Sequence, residues 1–366
     1  MNQRQRVLAI LRGEQPDQVP WFADLDYYAG ALEHRGLRPA GFRTSAEYID
    51  WHRELRAGFY LQGYMPFREI RRRCTGQVRK AGNRTHRSIQ TPAGELTETW
   101  LWSDESYSLA PVERLIKSAA DLAAYRCLYE DVSYEPDYAL AEERSRLVED
   151  IGVVLCYTPR TPFMRMVAID AGIENVVDLY MEAPEELEET LRVMEQALDQ
   201  AVAMVLESPA EIVMIPENLS SEVVGPAFFE MFMREIQTKW VRWIHQAGKY
   251  SCMHMDGTLK GLLRQEASVG YSFIEALTPW PVGDLPVEEW KDYLGGQGCL
   301  GWGGIPGSYF SPGTSGEQFQ EFVASVLEVM RSEPRYVLGV ADQVPPDGLE
   351  ERIRLVADLV DRHGRY

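Results

Sequence analysis

The sequence predicts an α/β fold, a (β/α)8 TIM barrel with an inserted antiparallel meander, running as one domain over 1–366. Three observations predict it. From about Ile151 onward, short apolar runs alternate with helix-length amphipathic stretches, the pattern that builds a parallel sheet from strand-then-helix units. With two earlier runs added, the strands number about eight, which favours a closed barrel over an open doubly wound sheet. No glycine-rich phosphate loop follows any run: Gly301-Trp302-Gly303-Gly304 lacks the spacing of a dinucleotide fingerprint or a P-loop.

Gln3 to Gly13 carries Val7, Leu8, Ile10 and Leu11 at helical spacing and stops at a glycine, as a short capping helix would. Val19 to Ala23 then reads as a first buried strand ending in Asp24-Leu25-Asp26-Tyr27-Tyr28, and a second strand is expected near Phe59 to Met65. Between about Phe67 and Val112, alternating runs and turn signals at Arg79 to Asn83 and Thr91 to Gly94 give the meander. The later strands are expected at Ile151–Tyr157, Ala210–Ile215, Tyr250–Met255, Tyr271–Leu277, Gln297–Trp302 and Tyr336–Val340. Helices are expected between them at Pro184–Leu206, Pro226–Gln246, Leu259–Ala267, Val287–Leu294 and Glu317–Arg331.

Composition narrows the function. Asp and Glu outnumber Lys and Arg by 56 to 37, a formal charge of −19, so the surface field repels phosphate backbones and anionic lipid; nucleic acid and membrane are not expected partners. No apolar stretch approaches the roughly 18 residues of a spanning helix, the N-terminus lacks a signal-peptide core, and the chain is read as cytoplasmic. The five cysteines are odd in number, widely spaced and without a CxxC pair, which argues against a disulfide framework or a Cys-rich zinc module.

In a barrel of this kind the reactive groups project from the C-terminal ends of the strands. Here those ends carry Asp24 and Asp26, Tyr157 and Arg160, Glu217 and Asn218, His254 and Asp256, Glu275, Trp302 and Asp342. In an extended strand His254 and Asp256 point the same way while Met255 points oppositely, and Gly257 then lets the chain turn out. An imidazole among carboxylates suits a divalent metal such as zinc, with His254, Glu275, Glu217 and Asp256 as the candidate ligands. The same groups could work as acid and base, for which Asp24, Asp26, Asp342 and Tyr27 are further candidates. Trp21, Tyr28, Tyr157, Arg160 and Trp302 would wall the substrate. Each has a plainer explanation. Glu217-Asn218 could cap a helix entry, Glu275 could accept backbone N–H bonds, Asp342 could cap a loop, and the aromatics could be core. Arg71-Arg72-Arg73 reads as a solvated surface that could dock an acidic partner.

At these residues the chain resembles the uroporphyrinogen decarboxylase superfamily. The opening Arg4-x-Arg6-Val7-Leu8-Ala9-x-Leu11-Arg12-Gly13-Glu14-x-Pro16-Asp17-x-Val19-Pro20 is similar to the start of that group, and Thr161-Pro162-Phe163 with Ala171 to Asn175 and Pro184-Glu185 to its central segment. Ala247-Gly248-Lys249 leading to His254-x-Asp256-Gly257 resembles its sixth strand, and Asp342 to Pro346 with Glu351-Arg352-Ile353 its ending. The resemblance implies a (β/α)8 barrel. True decarboxylases of the group carry an N-terminal arginine-rich signature that binds porphyrinogen carboxylates, whereas Trp21 to Tyr28 contains no arginine.

The chain is more similar to the branch of corrinoid-dependent methyltransferases, in which a zinc-binding H-x-C and a later cysteine activate a thiol or the methyl donor. His254 matches, but Asp256 stands at the first cysteine and Ala341-Asp342 near the second, so thiolate ligation is lost. Methyltransferases of the branch that demethylate phenyl methyl ethers, described as using Glu and His ligands, resemble it better. The resemblance thus implies a small methylated substrate (aryl methyl ether or methylamine-like), zinc, and a corrinoid carried by a partner protein. A homodimer is left open. The alternatives are a decarboxylase, and a catalytically silent barrel that binds a small aromatic ligand.

Overall fold

The computed structural model describes residues 1–295 and 298–366, and gathers them into two compact units. The first comprises Met1–Tyr64, Tyr138–Tyr157 and Ser208–Tyr366; the second comprises Met65–Asp137 and Thr158–Glu207.

In the first unit, seven parallel strands lie in the order Trp21–Phe22, Tyr336–Ala341, Leu300–Pro306, Phe273–Leu277, Tyr250–Met255, Ile212–Leu219 and Leu155–Tyr157. A second parallel pair joins Phe59–Tyr60 to Gly152–Val153, and Phe22 bridges to Gly58 in the same sense. The result is an α/β fold with a curled parallel sheet. Its inner face is apolar: Phe22, Leu155, Ile212, Met214, Phe273 and Trp302 belong to one buried cluster. A strand is present at each expected place, although the first two are two residues long each and the expected Ile151–Tyr157 strand is split into Gly152–Val153 and Leu155–Tyr157, which pair in different sheets. Gln297, where one of them was expected to begin, lies outside the described residues.

Strand spacing here depends on missing side chains. A Cβ on Gly152 would sit 2.1 Å from the carbonyl oxygen of its pairing partner Phe59. Gly152→Ala is therefore expected to destabilise the chain by ~1–3 kcal/mol through overpacking, read as a lower urea midpoint. An unchanged midpoint would mean that this strand pair is not held as described.

Helices cover the sheet where the periodicity is strongest. Arg234–Gln246 buries Ile236, Trp240, Val241 and Ile244 on one face, and Gln3–Leu11 starts with a capping box from Asn2 and Gln5. The expected Pro226–Gln246 helix is interrupted, because Phe229–Met233 forms a π-type turn. Asp26–His34 and Ala46–Leu55 are helices that the sequence pattern did not announce.

The second unit holds the meander: Thr75–Ala81, Arg84–Thr91, Gly94–Ser103 and Ser108–Glu113 form a four-stranded antiparallel sheet in chain order. Phe67–Ile70 pairs instead with Ser133–Pro136. The helix Pro184–Glu207 packs on Leu122–Glu130 within the same unit. Among the described residues, no helix is long and apolar enough to cross a membrane.

Candidate active site

His254 and Glu275 face each other across adjacent strands, as register partners near the C-terminal ends of Tyr250–Met255 and Phe273–Leu277. The imidazole Nδ1 lies 2.7 Å from Glu275 Oε2, and the hydroxyl of Tyr60 donates to Glu275 Oε1 at 2.8 Å. Glu275 is 1% exposed, so both of its oxygens are engaged inside the fold. The other imidazole nitrogen, Nε2, stands 3.6 Å from Asp342 Oδ1, beyond hydrogen-bond length. Beside this group, the Tyr157 hydroxyl donates to Oε1 of Gln62.

The backbone at these strand ends is unusual. Asn218, Ala276 and Asp342 have φ values of 55°, 66° and 67°; the first two are the penultimate residues of their strands, each directly after an acid, and Asp342 follows the last residue of its strand. The left-handed region costs a residue with a Cβ roughly 1–2 kcal/mol. Three such positions along one edge are what is expected when the chain is bent to aim its side chains.

Burial and charge set the protonation. Burial alone would push the His254 pKa down, but the charge and hydrogen bond of Glu275, with Asp342 and Asp256 behind it, raise it to about 9. The imidazole is therefore a cation at neutral pH. Asp24 moves in the sense of a buried acid: burial, then the charges of Asp26, Asp342 and Glu275, raise its pKa well above the ordinary aspartate value. Asp342 is also raised, by burial and by Asp256 and Glu275, against the pull of His254. Tyr60 and Tyr157, desolvated beside Glu275, are held as neutral phenols.

The structure thus gathers His254, Glu275, Asp256, Asp342, Asp24 and Tyr157 from the sequence expectation. Within the same unit it gives Asp26, Tyr27, Trp21, Tyr28 and Trp302 other places. Asp24 is also a loop anchor, accepting from the Asp26 N–H and from Gln343 Nε2, each at 2.9 Å. Asp26 begins a helix and pairs with Arg43 at 2.9 Å. Tyr27 is half-buried on the same first turn. Trp21 turns outward and stacks on Phe310, because a strand alternates faces and Phe22 takes the inner one. Tyr28 is likewise helix packing, stacked on Trp51. Trp302 is 1% exposed and surrounded by Phe22, Tyr60 and Phe273, so it is core and not a substrate wall. Arg160 belongs to the second unit.

Glu217 needs a further correction. The strand Ile212–Leu219 is irregular after Ile215, and Glu217 is drawn toward the helices: Gln237 Nε2 donates to it at 3.3 Å and to Glu266 at 3.4 Å. Of the four expected zinc ligands, Glu217 is turned to Gln237, and His254 Nδ1 and Glu275 Oε2, 2.7 Å apart, are at hydrogen-bond distance, shorter than the more than 3 Å between two atoms bound to one tetrahedral zinc at about 2.0–2.2 Å. Among the described residues no group of three His, Cys, Asp or Glu side chains is arranged to hold a metal ion. Tyr60 and Gln62 are the site residues that sequence reasoning missed. Tyr60 lies in the expected second strand, but no polar signal there marks it as a partner of Glu275.

No curated protein matches the chain. Among solved structures, a methyltransferase from Methanosarcina mazei is similar in fold: TM-score 0.60, 14% identity, and 99% of each chain covered. The family model described as uroporphyrinogen decarboxylase (URO-D) matches residues 142–363. That is more than half of the sequence, and it contains His254, Glu275, Asp256 and Asp342: the chain belongs to the uroporphyrinogen decarboxylase family.

Proposed function

We propose that this chain is a methyltransferase, built on a fully closed (β/α)8 barrel, that takes a methyl group from a small methylated substrate and passes it to a corrinoid on a partner protein. The observation that carries the reading is His254: a cationic imidazole whose Nδ1 is committed to Glu275 and whose Nε2, among the described residues, has Asp342 at 3.6 Å and no partner within hydrogen-bond length. Breaking the methyl–oxygen bond of an ether, or the methyl–nitrogen bond of an uncharged amine, leaves its electron pair and negative charge on the heteroatom, whereas a methylammonium donor leaves as a neutral amine. On an ether, a proton delivered from Nε2 is taken up by the electron pair left on the oxygen, which departs as a hydroxyl, while the new bond to the methyl carbon is formed by the electron pair of the nucleophile. The docked corrinoid would supply that nucleophile. Glu275 and Tyr60 keep the ring oriented, and Asp342 stands 3.6 Å from Nε2, beside the proton to be delivered. The solved methyltransferase of similar fold agrees with this reading.

The acid-rich setting bears on substrate charge. Glu275, Asp342 and Asp256 act on His254, so a polyanion such as a porphyrinogen meets carboxylates beside the single imidazolium, while a neutral methoxyarene or a methylammonium donor meets no such repulsion. The test is methylation of cob(I)alamin over a panel of methoxyphenols and methylamines, with carbon dioxide release from porphyrinogen and zinc content measured on the same protein. Methyl transfer is expected, with a rate that falls as pH rises through about 9 because His254 then loses its proton. Decarboxylation without methyl transfer would replace this reading with that of a decarboxylase. Stoichiometric zinc, together with loss of rate on chelation, would replace the proton with a metal. No turnover of any of them would favour the silent barrel.

A further inference from the structure

The second unit contains a cavity of about 150 Å³ that the methyl-transfer reading does not use. Its charged lining is four arginines, Arg71, Arg87, Arg160 and Arg165, against two acids, Glu69 and Asp170. In a chain of net charge −19, a lining with two positive charges in excess stands out. The rest of the wall is apolar and aromatic, with Phe67, Leu115, Leu128, Tyr125 and Tyr129 among its residues.

Three of these arginines, Arg71, Arg87 and Arg165, are held in place and still have N–H groups to offer. Arg165 gives Nε and Nη2 to Asp170 at 2.6 and 3.2 Å, and Asp170, 2% exposed, also accepts from the Tyr125 hydroxyl at 2.6 Å. Arg71 uses Nε on the Leu128 carbonyl at 3.1 Å and Nη1 on Glu69 at 2.7 Å. Arg87 uses Nη1 on Glu98 at 2.9 Å. A guanidinium has five N–H donors, so each of these three keeps donors beyond its own carboxylate. Burial keeps Tyr125 and Tyr129 protonated, the latter with a pKa pushed up to about 12, so no phenolate offsets the arginines.

We propose that this cavity binds a small aromatic monocarboxylate. The fork of an arginine matches a carboxylate geometrically, and the apolar wall accommodates a ring. The cavity is well below the roughly 300–1,000 Å³ of drug-sized sites, which limits the ligand to about one ring. A dianion is disfavoured because the excess charge is modest once Glu69 and Asp170 are counted.

The experiment is isothermal titration of the full chain with benzoate, benzamide and inorganic phosphate. Benzoate is expected to bind saturably, to weaken with added salt, and to bind at least about tenfold more tightly than benzamide, its neutral isostere. Arg71→Gln is expected to weaken benzoate binding about tenfold. If that variant does not fold, Arg87→Gln on the meander strand Arg84–Thr91 is the second probe, with the same expectation. Absence of saturable benzoate binding, equal affinity for benzamide, tighter binding of phosphate, or full affinity in a folded arginine variant would each overturn the proposal. These heats are read without methyl transfer, so they stand or fall independently of the proposed reaction.

Discussion

Glu275→Gln should slow methyl transfer by roughly 10²–10⁴-fold, the range typical of losing a positioned proton donor. The substitution is nearly isosteric and can still accept the Tyr60 hydroxyl, so it removes charge while leaving the packing in place. Without that charge, burial dominates at His254, and the imidazole pKa falls from about 9 toward or below its ordinary value near 6.5. The imidazole would then be largely neutral at pH 8. Following the ring protons of His254 by NMR across pH 5–10 gives the second readout: titration still centred near 9 in the variant would remove Glu275 from its assigned role.

The same shift has a stability consequence with a definite sign. A group whose pKa is raised on folding contributes stability that is fully present below the unfolded value, near 6.5, and is lost as pH rises through about 9. Chemical denaturation of the wild type at pH 6 and pH 9.5 should show this loss, and Glu275→Gln should shrink it. Asp24, raised well above the ordinary aspartate value by burial, also loses stability as pH rises, so the wild-type loss is not that of His254 alone and the comparison between the two proteins is the informative one.

Trp302→Ala is the substitution with the largest expected cost in stability, ~3–5 kcal/mol. The indole is 1% exposed, with its ring 5.0 Å from Phe22, 5.0 Å from Tyr60 and 5.3 Å from Phe273 between centroids. The next strand is fitted to it: a Cβ on Gly339 would fall 2.6 Å from the indole. Removing the ring leaves a cavity inside the curled sheet that rigid strands cannot collapse into. A large fall in urea midpoint with an unchanged denaturant slope is expected, and Trp302→Phe should recover much of it. A small change in midpoint accompanied by a large rise in KM would return Trp302 to the substrate wall.

These residues also show why the site was partly legible in the sequence. His254, Asp256, Glu275 and Asp342 could be found because each terminates a clear apolar run, and the chemistry of a parallel strand concentrates at that end. Trp21 and Phe22 could not be told apart, since a two-residue strand has no phase from which to read which side chain faces inward. Glu217 failed for a related reason: the irregularity after Ile215 re-aims everything that follows, and nothing in Pro216-Glu217-Asn218 announces it. Tyr60 and Glu275 are 215 residues apart, so their bond is a product of tertiary closure and leaves no local trace. The meander was visible because turn signals and alternation are short-range properties.

Ala276 in the left-handed region sets a conflict for anyone who would improve this protein by selection. Glycine would relieve its conformation, so a library ranked only on survival at high temperature would be pulled toward it. Yet Ala276 follows Glu275 directly, and a more pliable link there would let the carboxylate drift from the imidazole it holds. Thermal screening and screening for turnover would therefore enrich opposite residues at one position. The depth of that divergence would measure how much of the chain's durability has been given up to keep a single side chain correctly aimed.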